Sequence, residues 1–419
     1  PLRGDEAFSA MFWAKMSIQQ SLTEIATIEP HPPLTYVFFH IWNLIIGGIE
    51  SPFALRMFGV LLNLIGIPAM YALGKHLTKN PFIGLLSALI WAVHPFEIWH
   101  SQDFRNYAIW AGLSVTTLWL GIRLITYQRK IDWALYVLFA LVTAFTFYTE
   151  LLTLSAFGIY ILLSQYKQKT FVARFLAIQF FIALSVLVGF VLLQGNLLSG
   201  GGYGGNVQPF FAPDYLTRFI PTLMIGDAIP PDLSNTWQAL AIVLPILIIA
   251  VFRTSKNIAT LIIILIAFPL VALGIISTRM SIFHPRYVIS VVPAFILALS
   301  IGSDSIARFF SQKMHIHQHI LTVIVISPYF ILSAMTLNHY YSVTHSQKTV
   351  AWDELGEFLN QNVDENDLVI QLSTDAAFGY YYTGIAEDIG LPASPAQSTD
   401  DIIETLESAE YKYDSIYIV

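Results

Sequence analysis

Cysteine is absent from the 419 residues. That excludes disulfides, thiolate metal centres and cysteine nucleophiles, and it leaves the redox compartment open. Charge is scarce. Asp, Glu, Lys and Arg make up 12% of the chain, against about 25% in a soluble domain. Hydrophobic residues make up 55%, and they fall in long runs. This excludes the two or three soluble domains that length alone suggests and indicates a polytopic membrane protein. No internal repeat pairs broken helices between two halves, which counts against a transporter or flippase. No initiator methionine or signal peptide precedes Pro1, and at least one further span is expected before it.

The charge that is present divides unevenly. From Ser342 onward fifteen acidic residues stand against two lysines, a balance of −13; the remainder carries nineteen Lys and Arg against thirteen Asp and Glu, a balance of +6. An acidic soluble tail therefore follows a mildly basic membrane body. The fold class expected is a polytopic α-helical membrane protein with outer-face juxtamembrane helices and a small C-terminal α/β domain. Its divisions are residues 1–53, 54–341 and 342–419. In the tail, helices are expected over 350–362 and 402–409, and strands over 368–372 and 415–419. The last strand reads as one in mid-course.

Ten apolar segments are expected to span: 54–74, 82–99, 106–125, 131–148, 150–165, 171–193, 236–252, 257–277, 286–303 and 319–340. Five alternate loops between them hold twelve of the twenty-one Lys and Arg, from Lys75 and Lys79 to Arg308 and Lys313, and so should be cytoplasmic. The other loops and the tail then face outward. The short apolar stretch 33–49 must keep both ends outside, as a juxtamembrane or re-entrant helix. Residues 5–30 read as a short amphipathic helix on the bilayer, with Phe12-Trp13 at the interface. The glycine run 200–205 lies in the longest loop. It is either a mobile cover over a site or a slack connector, since no strand and helix flank it as a nucleotide loop requires.

The ionisable residues that are costly near a membrane fall on the expected outer face. Asp5-Glu6 is a carboxylate pair, and a carboxylate in hydrogen-bond reach of an acceptor can serve as its base. Glu29-Pro30-His31-Pro32-Pro33 is a proline-stiffened turn whose Glu and His can bind a divalent metal or a phosphate; a helix-start turn is the alternative. The run from His94 to Tyr107 is dense in ionisable and aromatic side chains. Within it Arg105 can grip a phosphate through its planar fork, or pair with Asp103. His284-Pro285-Arg286-Tyr287 offers a cationic pair for a lipid phosphate, or an arginine snorkelling to the headgroups.

These motifs, in this order, resemble the GT-C class of integral-membrane glycosyltransferases, in particular the bacterial relatives of protein O-mannosyltransferases and of the aminoarabinose lipid A transferase. The resemblance rests on Arg3-Gly4-Asp5-Glu6-Ala7, His31-Pro32-Pro33-Leu34-Thr35-Tyr36, Ser101-Gln102-Asp103-Phe104-Arg105-Asn106-Tyr107-Ala108 and Pro285-Arg286-Tyr287. The tail helix at Trp352 and the Asn366-Asp367-Leu368-Val369-Ile370 run are further matches. It implies an inverting transfer from a polyprenyl-phosphate-linked sugar to a lipid, glycan or protein acceptor at the extracytoplasmic face of the cell membrane, with no nucleic-acid partner. It implies Asp5 as catalytic base, with Glu6 beside it. Asp103 stands where the family usually has Glu. Arg105, Arg286 and His284 would take the donor phosphate, and Glu29 and His31 would be the metal ligands, on a turn whose spacing departs from the family's. A ligase or polymerase passing a whole glycan from a lipid pyrophosphate is the other enzymatic reading. Convergence of Asp5, Asp103 and Arg105 in one place would favour a transferase over a transporter.

Overall fold

The computed structural model describes residues 1–28, 31–194, 210–280, 282–343, 351–372, 375–393 and 397–419. The glycine run 200–205 and Glu29 therefore lie outside the described residues. Every one of the ten apolar segments contains a helix. In chain order these are α4 (Pro52–Leu64) with α5 (Gly66–Thr78), α6 (Pro81–Ala92) with α7 (Pro95–Ser101), α8 (Asn106–Tyr127), α9 (Lys130–Ala144), α10 (Glu150–Ser164) and α11 (Lys169–Gln194). After a short α12 (Ile220–Ile225) come α13 (Ser234–Thr254), α14 (Lys256–Ser277), α15 (Val292–Met314) and α16 (Gln318–Ser342).

Not all of them have the length of a span. Among the described residues six helices are long and apolar enough to cross a membrane, or seven if α6 and α7 count as one broken span. The 15-residue α9 and α10 reach only about 22 Å at 1.5 Å per residue, short of a hydrocarbon core of about 30 Å. The break between α6 and α7 bends the path by 53°. Its cause is local: Pro95 lacks an N–H and holds His94 extended (φ −70°, ψ 116°). The bend turns Glu97, His100 and Ser101 into the protein, where all three are buried.

Before α4 the chain forms α1 (Gly4–Phe8), a π-helical turn (Ser9–Ala14), α2 (Ile18–Ile28) and α3 (Leu34–Ile46). The 13-residue α3 spans about 20 Å and cannot cross a bilayer alone. Residues 5–30 differ from expectation. The described part, to Ile28, is two helices and a π turn instead of one amphipathic helix, and the first of these packs into the protein. Ala7, Ala10, Trp13 and Ala14 have no exposed surface, and Trp13 stacks on Tyr36 at 4.5 Å. The Phe12-Trp13 pair thus packs toward the protein interior, where an interfacial aromatic and a core aromatic have the same sequence signature.

The tail holds α17 (Trp352–Asn362), β1 (Leu368–Gln371), α18 (Ala376–Tyr381), β2 (Glu387–Gly390), α19 (Thr399–Lys412) and β3 (Ile416–Ile418). The strands form a parallel sheet in the order β2-β1-β3, with Leu368 opposite both Glu387 and Ile416. Central β1 is buried on both faces. Val369 points to Leu359 and Phe378, while Leu368 and Ile370 point to Ala409 of α19. That is why β1 reads as an unbroken apolar run. The tail leans on the N-terminal segment. Tyr381 accepts a hydrogen bond from the Leu2 N–H at 2.6 Å. A Cβ on Gly4 would come within 2.3 Å of Asp375 Oδ1, so only glycine lets α1 sit this close to the start of α18.

Candidate active site

Glu6 ties three distant segments together. It is the third residue of α1 and reaches back to accept from the Arg3 N–H at 3.1 Å, half of a helix-start box. Its carboxylate also accepts from Arg56 of α4, Nε at 2.8 Å and Nη2 at 2.6 Å, and from the Phe104 N–H at 2.9 Å. Glu6 has no exposed surface. A buried carboxylate is tolerable when charge and donors answer it on every side. Four donors do so here, and they dock α1 onto α4 and onto the 102–105 turn.

This docking sets the neighbouring side chains. Asp5, one residue back, is exposed. Arg105 is almost wholly buried, and its Nη1 donates to the Asp5 carbonyl at 3.2 Å and to the Ser9 hydroxyl at 3.0 Å. Asp103 is 1% exposed, with Oδ1 accepting from Arg3 Nη2 at 3.0 Å and Oδ2 lying 3.4 Å from His100 Nδ1. Arg105 thus meets the backbone of Asp5, while Asp103, two residues before it, turns to Arg3 of the same N-terminal segment. Asp103 pairs with Arg3 at 3.0 Å, an ion pair that sequence spacing did not indicate.

A second wall comes from the 3₁₀ turn Pro285–Val291. Thr149 donates to the Tyr287 carbonyl at 2.7 Å, and Thr153 and Ser290 share a hydrogen bond of 2.7 Å. Phe147 stacks on Tyr287 at 5.8 Å and on Trp110 at 4.4 Å. The Arg286 guanidinium lies over this aromatic floor, 5.5 Å from the Tyr107 ring centre and 5.2 Å from that of Tyr287. Tyr107 follows Arg105 by two residues at the start of α8, so the contact of Arg286 with its ring sets the second wall beside the first.

His284 does not form the cationic pair expected of it. Burial first, then the positive charges of Arg286 and Arg218, push its pKa down to about 2. Its Nδ1 accepts from the Arg286 N–H at 3.2 Å. The proton of the neutral ring is then on Nε2, which can donate to an anion without carrying charge. Arg218, in the π turn Tyr215–Phe219, acts on His284 through its charge. The sequence offered no motif for it.

The metal expectation finds no support in these side chains. His31 is buried, with its ring 5.5 Å from that of Phe147, and Glu29 lies outside the described residues. Among the described residues no three His, Asp or Glu side chains gather to hold a metal ion. Arg56 was also missed. Its signal was present, since a charged residue in the first turns of an apolar helix needs a partner.

A family model described as dolichyl-phosphate-mannose-protein mannosyltransferase matches residues 30–192. No curated protein sequence matches the chain. Among solved structures, ArnT from Cupriavidus metallidurans in the apo state aligns with a TM-score of 0.56 at 12% identity, over 98% of this chain and 84% of that one. The same protein bound to undecaprenyl phosphate aligns with a TM-score of 0.55 at 13% identity, over 99% and 85%. The Archaeoglobus fulgidus oligosaccharyltransferase, in complex with Zn and sulfate, aligns with a TM-score of 0.51 at 11% identity, over 88% of this chain and 54% of that one. The family match over α3 to α11, joined to a fold shared along almost the whole chain, supports a membrane glycosyltransferase of the GT-C class.

Proposed function

We propose that this chain moves a sugar from a polyprenyl-phosphate-linked donor to a lipid, glycan or protein acceptor, with inversion, at the extracytoplasmic face of the cell membrane. The observation that carries this reading is an exposed Asp5 whose backbone carbonyl accepts from the buried Arg105, with the Arg286 guanidinium over the ring of Tyr107, two residues after Arg105. A displaced phosphate needs positive charge where its negative charge develops, and an attacking hydroxyl or amine needs a base. Both are within one group of side chains. The undecaprenyl phosphate held by ArnT supports a donor of that chemistry.

In this mechanism Asp5 takes the proton of the acceptor as its oxygen or nitrogen bonds to the anomeric carbon. The bond from that carbon to the phosphate oxygen breaks on the opposite side, and the lipid phosphate leaves as an anion. Arg105 and Arg286 stabilise it, and His284 Nε2 donates a neutral hydrogen bond. Glu6 and Asp103 hold Asp5 and Arg3 in position from within the protein; they do not meet substrate. The extracytoplasmic assignment follows from the basic turns at the other helix ends. Residues 1–53, 54–341 and 342–419 then act as catalytic segment, membrane body and outer tail. The gathering of the polar side chains at one end of the helices favours a transferase over a transporter.

The test uses the protein in liposomes with a panel of radiolabelled polyprenyl-phosphate sugars and crude acceptor extract. Wild type should release label from one donor, and Asp5→Asn should release it on the order of 100-fold more slowly or worse, the usual loss for a general base. Equal rates would remove Asp5 from the chemistry. No release with any donor would overturn the transfer itself.

A further inference from the structure

At the end of the helices away from the site, the turns joining α8 to α9 and α10 to α11 line an open cavity of about 490 Å³. Its lining includes Gln128, Trp133, Lys167, Gln168, Lys169 and Arg174, and no acidic residue. The nearest acid in sequence, Asp132, is already committed, to Arg123 at 2.7 Å and Arg129 at 2.9 Å. No carboxylate among the described residues pairs with Lys167, Lys169 or Arg174. The cavity is built, not a loose run of surface charge. Arg174 is stacked 4.4 Å above the ring of Trp133, itself 5% exposed, and Gln128 donates to Gln168 at 3.0 Å across the two turns. Three cations around a hollow of this size suit a phosphodiester headgroup.

The helix that carries two of those cations also indicates what the headgroup is attached to. From two residues beyond Arg174, α11 turns an apolar stripe outward at Leu176, Phe180, Leu184, Leu187 and Val191. Its opposite face, at Phe175, Ile182 and Val186, is buried in the bundle. The stripe covers about 22 Å of helix at 1.5 Å per residue, more than the depth of one leaflet. A free phosphate has no use for it, whereas acyl chains do. The basic turns mark the cytoplasmic leaflet, the one whose anionic lipids attract basic pockets between helices.

We propose that this cavity binds the headgroup of an anionic membrane phospholipid, whose acyl chains lie along the outward face of α11. The site is separate from the transfer site, and its occupation does not depend on the sugar chemistry.

The test is native mass spectrometry of the purified protein with phosphatidylglycerol and phosphatidylcholine added in equal amounts. Wild type should retain phosphatidylglycerol preferentially. The variant K167Q/K169Q/R174Q should lose that retention at least fivefold. The control K75Q/K79Q/R253Q, with the same charge removed at the same end, should keep it. Lys169→Gln alone should give a smaller loss in the same direction, which guards against misfolding of the triple variant. Equal retention of the two lipids by wild type, or equal losses in both triple variants, would overturn the proposal. So would displacement of the lipid by an equal concentration of soluble glycerophosphate, which would make the site one for free phosphate.

Discussion

Asp5 and Glu6 are adjacent carboxylates with opposite surroundings, one exposed and one wholly buried on Arg56, Arg3 and Phe104. The pair was legible in the sequence. Which member is buried was not, because the partner that decides it stands 50 residues away on α4. His284 makes the same point for charge. A histidine beside an arginine at a membrane face reads as a cation, yet burial and the neighbouring arginines hold it neutral with a pKa of about 2. This has a consequence for stability. The folded value lies below the ordinary 6.5. Between the two, the unfolded chain binds a proton that the folded chain does not, so unfolding gains as pH falls below about 6.5 and the contribution is complete above it. The melting temperature of wild type in detergent should therefore fall more steeply from pH 7 to pH 5 than that of His284→Gln. Parallel slopes would mean that His284 takes up its proton in the folded state as readily as in the unfolded one.

Between elements, the decisive contact is α4 against α8. A Cβ on Gly112 would lie 2.2 Å from the Leu62 carbonyl oxygen, and one on Gly59 would lie 2.8 Å from the Ser101 carbonyl oxygen and from Ala108 Cβ. Small residues let the two backbones touch, as membrane helices do where packing replaces the hydrophobic drive. Arg56 sits one turn from Gly59, so this approach also delivers Arg56 to Glu6. Gly112→Leu should push α4 away, cost about 1–3 kcal/mol of stability by overpacking and reduce sugar transfer by more than its effect on folding alone. Gly112→Ala should fall between. Melting temperature and single-turnover label release, measured on the same preparations, check this; normal transfer by Gly112→Leu would detach the helix contact from the site. The membrane helices were legible because apolar runs act locally, whereas the 53° break at Pro95 inside the expected span 82–99 was not read. The strand β2 was not, because Glu387–Gly390 is a half-exposed edge strand without apolar alternation and is defined only by pairing with β1. Trp13 was misassigned for a related reason: beside Phe8 and Phe12 of its own segment it stacks on Tyr36 of α3, a partner 23 residues away that local sequence does not announce.

Across the whole chain, two sets of polar groups separate along the helices. Arg56, Arg105 and Arg286 stand at the starts of α4, α8 and the turn before α15, while Lys75, Arg123 and Arg308 stand near the far ends of the same paths. On α8 the 18 residues from Arg105 to Arg123 put about 27 Å between them. The basic turns also collect in space. Residues from α5, α6, α13, α14 and α15 line one cavity at that end, and the α8–α9 and α10–α11 turns line another. This separation was readable as the alternation of Lys and Arg between loops, because orientation in a membrane is set by those counts and not by packing. It makes a definite prediction, and the absence of cysteine makes it cleanly measurable, since any thiol introduced is the chain's only one. Glu50, just before α4, Gln361 in the tail helix and Lys130 in the α8–α9 turn are all exposed. A membrane-impermeant maleimide applied to intact spheroplasts should label Glu50→Cys and Gln361→Cys at once, and Lys130→Cys only after the membrane is opened. The reverse pattern would put Asp5 and Arg105 on the cytoplasmic side, where the donor sugar would have to be carried on the inner leaflet. Labelling of Glu50→Cys and Gln361→Cys from opposite sides would mean that an odd number of the ten helical segments crosses between them, as when one of the 15-residue α9 and α10 enters the bilayer without crossing it and the other crosses.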